Sequence, residues 1–91
     1  MSKINRELGA LAREYRIKAG MTQLELANKL GYESMQFVSL FERGISKIPL
    51  KVIGKLIIIL GIPEKKITKS LVDVFTTEIN EQITEGKRSI S

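Results

Sequence analysis

Gly20, Gly31, Gly44 and Gly61 each stand at the end of an apolar run with helical spacing, so the chain must fold as short helices joined by tight turns. The first run places Ile4, Leu8, Leu11, Ala12, Tyr15 and Ala19 on one helical face before Gly20. Thr22 then stands as an N-cap with Glu25 at the capping-box spacing, and Leu24, Leu26, Ala27 and Leu30 follow before Gly31. Ser34 is placed to cap a third segment, Met35 to Arg43, which Gly44 closes. Pro49 holds Ile48 out of helical geometry, which makes 45–49 a loop entering a fourth helix over 50–60. Val52, Ile53, Leu56, Ile57, Ile58, Ile59 and Leu60 cover more than one face of that helix and predict burial on several sides.

Pro63 and Glu64 open a fifth helix. Ile67, Leu71, Val74, Phe75, Ile79 and Ile83 follow each other in steps close to three and four, giving one stripe that needs a partner surface. Residues beyond Glu85 lack periodicity and read as a frayed tail. The expected organisation is an all-α, five-helix chain. Its head spans 1–63, an amphipathic packing and dimerisation helix spans 64–84, and a flexible tail spans 85–91. No strand, internal repeat or low-complexity tract interrupts it.

Composition narrows the function. At 91 residues the chain has room for one domain, and 43% hydrophobic with 27% charged residues suffices for a single small core. There is no Cys and no His, which removes thiolate chemistry, imidazole bases and the commonest metal ligands. Ser34, Ser39, Tyr15 and Tyr32 have no such group to activate them, so no enzyme is expected, nor a metal or cofactor site. The longest apolar run, Leu56 to Leu60, falls far short of the ~20 residues of a membrane helix, and no signal-peptide core opens the chain, so a cytoplasmic protein is expected. The net charge of +5 is uneven: residues 1–66 hold 12 basic and 6 acidic side chains, whereas residues 67–91 hold 3 and 4. A basic head and a nearly neutral last helix suit a polyanion-binding part and a protein-contacting part.

The stretch Gly20-Met21-Thr22-Gln23-Leu24-Glu25-Leu26-Ala27-Asn28-Lys29-Leu30-Gly31, followed by Ser34-Met35-Gln36-Phe37-Val38-Ser39 and Phe41-Glu42-Arg43-Gly44, resembles the helix-turn-helix of the phage-repressor (Cro-like) family. The likeness runs from about Ile4 to Pro63. In physical terms, two short helices and a glycine turn cannot bury both apolar faces alone, so the first and fourth helices must complete a core around Leu26, Ala27, Leu30, Val38 and Phe41. The resemblance implies a bacterial or phage transcriptional regulator whose third helix enters the major groove of double-stranded DNA.

Mapped residue by residue, it implies base reading by Met35, Gln36, Ser39 and Leu40, with Gln36 suited to a bidentate pair with adenine. It implies phosphate contacts from Gln23, Arg43, Lys47 and Arg13, and a structural ion pair between Arg16 and Glu42. Two departures stand out. The stretch from Gly31 to Gly44 is one residue longer than is commonest, and Leu40 occupies an exposed position usually polar, with Met35 and Phe37 adding apolar surface near it. Such residues suit thymine methyls or a protein-binding patch. A repressor acting on an inverted-repeat operator as a homodimer is the expected function, with the dimer contact near Val74, Phe75, Ile79 and Ile83. The alternative is an interaction module, antitoxin-like or an adaptor, using the third helix or the Ile57–Ile59 surface. With no sensor domain expected, control falls to concentration or to a protein effector.

Overall fold

The computed structural model describes residues 3–90, and the outermost bounds of the expected head and tail, at 1–2 and 91, lie outside it. Five helices follow in order: α1 (Lys3–Lys18), α2 (Gln23–Leu30), α3 (Gln36–Glu42), α4 (Leu50–Leu60) and α5 (Glu64–Ile90). Among the described residues there is no strand.

The local chemistry sets most of these limits. Thr22 accepts a hydrogen bond from the Glu25 N–H at 3.0 Å, and the Glu25 carboxylate accepts from the Thr22 N–H at 3.0 Å, so the expected capping box closes α2 at its start. The bond from the Thr22 N–H, and after it the Thr22 hydroxyl beside the carboxylate, lower the Glu25 pKa from its ordinary value. At the other end Gly31 takes a left-handed conformation, φ +93°, which a side chain would strain.

The expected start of α3 needs correction. Met35, not Ser34, occupies the N-cap position and no side chain caps it; the Ser34 hydroxyl reaches only the Gln36 N–H, at a long 3.4 Å. Residues 32–35 lie outside the helix, so α3 begins at Gln36.

The core lies where α1, α2, α3 and α4 meet. Leu26, Ala27, Val38 and Phe41 are fully buried and Leu30 nearly so, joined by Leu8, Ala12, Ile48, Val52, Ile53, Leu56, Leu60, Ile62 and Ile67. Phe37 packs against the core: its ring lies between Tyr32, 4.9 Å away, and Phe41, 5.2 Å away, and so ties the turn before α3 to the core. The fourth helix buries Val52, Ile53, Leu56 and Leu60, whereas its Leu50 and Ile58 are 80 and 83% exposed.

Two positions set how close α1 lies to α3. A Cβ on buried Gly9 would stand 2.0 Å from the Phe41 carbonyl oxygen, so only glycine lets the helices approach. Gly44, with φ +74°, packs on Arg6, whose Cα would be 2.9 Å from an added Cβ.

The last helix packs on α1. Lys66 at its start and Lys18 of α1 flank the Tyr15 ring, 5.3 and 4.9 Å from its centre, and the Tyr15 hydroxyl raises the Lys66 pKa. Val74, expected in the dimer contact, is instead buried within the chain and is not open to a second copy. The expected frayed tail is also corrected: α5 continues without a break through Gly86 to Ile90. Ser89 bonds back to the Gly86 carbonyl at 2.8 Å, and Lys87 and Arg88 suit the negative end of the helix dipole. The radius of gyration is 15.5 Å, against about 12 Å for a compact chain of this length, because α5 projects beyond the head.

Candidate nucleic-acid interface

One buried carboxylate organises the end of α3. Glu42 accepts from Arg16 Nε at 2.6 Å and from Arg16 Nη2 at 3.0 Å, the forked geometry in which an arginine matches a carboxylate. It accepts a third bond from Gln23 Nε2 at 3.1 Å, while Arg16 Nη1 donates to the Met21 carbonyl at 2.7 Å. Helix α1, the start of α2 and the end of α3 are thereby locked to one another. The Glu42 side chain is 1% exposed and that of Arg16 11%, so removing either partner leaves a desolvated charge.

This lock presents one face of α3 outward. Val38, Phe41 and Glu42 point in, whereas Gln36 is exposed, Met35 is half-exposed, and Ser39 and Leu40 are partly exposed. Among the described residues no hydrogen bond engages the Gln36 amide, whose two donors and one acceptor stay available. The four expected base-facing residues therefore share the side of α3 that the fold leaves uncovered.

The four residues expected at phosphates lie on separate segments of the chain. Arg43 follows α3 directly and is exposed, its Nε bonded to the Ser39 carbonyl at 3.2 Å. Lys47 is exposed on the next loop, which Ile48 anchors in the core. Arg13 is exposed on α1 and lines a shallow depression shared with Glu42. Gln23 differs from the other three, since one of its amide donors is already given to Glu42.

The arrangement is that of a helix-turn-helix: a short helix held by its capping box, a glycine turn, and a second short helix with one uncovered face. A helix-turn-helix family model matches residues 13–67, more than half of the chain. The chain belongs to this Cro-like helix-turn-helix family. It is thus a DNA-binding transcriptional regulator.

Solved structures give the same fold for this regulator. The crystal structure of the clp gene regulator ClgR from Corynebacterium glutamicum is similar, with a TM-score of 0.65 and 21% identity over 98% of this chain and 90% of that one. The wild-type restriction–modification controller protein C.Esp1396I is similar with a TM-score of 0.65 and 20% identity, over 82% of this chain and 95% of that one. No curated protein gives a significant match. Among the described residues no helix is long and apolar enough to cross a membrane.

Two residues that position the regulator's uncovered face escaped sequence reading. Gly9 sits inside an amphipathic helix where any small residue fits the pattern, and only the nearby Phe41 carbonyl shows the need for glycine. Gln23 carried a signal for phosphate contact at a helix start, and no sequence spacing reveals its bond to Glu42.

Proposed function

We propose that this regulator binds an inverted-repeat operator as a homodimer and acts as a repressor by occupying it. What supports it is the outward side of α3, where the Gln36 amide has no hydrogen-bond partner among the described residues, together with exposed Arg43 and Lys47 beyond the end of α3 and exposed Arg13 on α1. Gln36 and Ser39 meet base edges in the major groove; Arg43, Lys47 and Arg13 meet flanking phosphates and fix the register. Gln23 uses its remaining N–H and the positive end of α2 toward a phosphate. No catalysis is assigned to the chain.

The dimer rests on α5. Val72, Phe75, Ile79 and Ile83 are 40 to 60% exposed on a helix that extends beyond the head, and a second copy of the same helix covers them. Two heads related by a two-fold axis then read half-sites about one helical turn, ~10 base pairs, apart. Selection of a random duplex library at two salt concentrations tests this. Enrichment of an inverted repeat, weaker at high salt, supports it, and binding without sequence preference contradicts it.

A second surface favours protein contact. Leu50 and Ile58 are 80 and 83% exposed on α4, and between them lies Gly54, above which the chain is open. An effector or partner protein docking on this stripe leaves the α3 face free, so the two activities separate: Ile58→Asp abolishes partner capture and spares DNA binding.

A further inference from the structure

The outward face of α3 is not uniformly polar. Successive helical residues turn by about 100°, which sets Gln36 and Ser39 at the middle of the face and Met35 and Leu40 at its two margins, about 140° apart. Met35 is 52% exposed, and Leu40, unlike Phe37, is not packed on the core. Polar Gln36 and Ser39 lie between these two apolar side chains on the outward side of α3. Exposed basic residues follow the end of α3 at Arg43 and Lys47, and Arg13 is exposed on α1 beside Glu42, which suits a polyanion.

We propose that Met35 and Leu40 read the 5-methyl groups of thymines on either side of the base pair held by Gln36 and Ser39. This rests on the DNA-binding reading above and adds the chemistry of its specificity. In the major groove the methyl group is the one apolar feature among base-edge donors and acceptors, and it distinguishes T·A from the other pairs. An unbranched Met adapts to a methyl at variable depth, and Leu40, partly sheltered by its own helix, buries a methyl with little loss of side-chain freedom. Polar side chains at the two margins would favour hydrogen-bonding bases there; this chain's apolar ones require methyl-bearing flanks.

The test uses the full chain and the duplex it enriches, with single thymines of each half-site replaced by deoxyuridine, which removes the methyl and keeps every hydrogen-bonding group. Binding weakens roughly fourfold at each of the two facing thymines, the weight of one buried carbon group, and stays unchanged at other thymines. In Leu40→Ala and Met35→Ala, checked for wild-type melting, the penalty disappears at one thymine each and persists at the other. In Gln36→Ala both penalties persist. Equal affinity for the thymine and uracil duplexes, or penalties that neither variant removes, overturns the proposal while leaving DNA binding intact. Failure to enrich any duplex overturns it together with the DNA reading, and capture of a protein through Met35 and Leu40 then explains their exposure.

Discussion

Arg16 grips Glu42 through two hydrogen bonds, 2.6 and 3.0 Å long, from α1 to the last residue of α3. The pair fixes how the uncovered face of α3 is aimed, because Glu42 also accepts from Gln23 at the start of α2. Its net stabilisation is modest, since burying both charges costs about as much as their attraction returns. Breaking it is a different matter. Glu42→Ala leaves the Arg16 guanidinium buried and unpaired, at a cost of about 3 kcal/mol. In a domain this small that lowers Tm by roughly 15 °C. Thermal unfolding by circular dichroism checks this, and a variant as stable as wild type removes the pair from the account.

Gly9→Ala is expected to be as damaging as a large core substitution. The added methyl would stand 2.0 Å from the Phe41 carbonyl, which is backbone and yields only if α1 and α3 separate. The expected loss is about 2–3 kcal/mol. Gly54→Ala, on an open helix face, serves as the opposite control: it gains up to about 1 kcal/mol of helix propensity. Denaturant titration of both variants decides, and equal effects would contradict this packing of α1 on α3.

The capping box makes part of the stability depend on acid. The Thr22 bonds depress the Glu25 pKa below its ordinary 4.5, so the folded state prefers the ionised carboxylate more than the unfolded chain does. That contribution is fully present above about pH 4.5 and is lost as pH falls through the depressed value. Glu25→Ala is therefore less stable than wild type at pH 7, and the difference in Tm narrows at pH 3. A difference that stays constant or widens in acid would contradict the assignment.

The two kinds of α5 residue separate on mutation. Phe75→Asp, on the exposed stripe, is expected to give a folded monomer with weaker operator binding; Val74→Asp, buried in the chain, is expected to unfold the α1–α5 contact itself. Sedimentation and melting together read this. A wild-type chain that is monomeric at tens of micromolar contradicts the dimer.

The sequence revealed those features that local chemistry determines. Thr22, Glu25 and Gly31 mark both ends of α2 because a capping box and a left-handed turn need particular residues at fixed spacing. Leu26, Ala27, Leu30, Val38 and Phe41 were legible as core from periodicity. Other features depend on neighbours in space. Val74 and Phe75 are adjacent on one apolar stripe, and only the position of α1 decides which is buried. Residues 86–90 lack an apolar pattern, and their helix follows from continuity with α5 rather than from burial. The start of α3 shifted to Gln36 because Ser34 is a residue too early to cap it. Among the expected site residues, Gln36, Arg43, Lys47 and Arg13 are exposed, as the resemblance implies, while Gln23 is partly engaged by Glu42.

Phosphate contacts and base contacts are expected to fail differently. Arg43→Ala and Lys47→Ala weaken binding to all duplexes alike, and each lowers the slope of log affinity against log salt by about 1. Unchanged slopes would place these side chains away from the DNA.

The most direct measurement is the affinity of wild type and Gln36→Ala for the enriched operator and for a shuffled duplex of the same composition. Reading by the α3 face predicts a loss of roughly tenfold or more on the operator and almost none on the shuffled duplex. Equal affinities on the operator, or an equal loss on both duplexes, would contradict it.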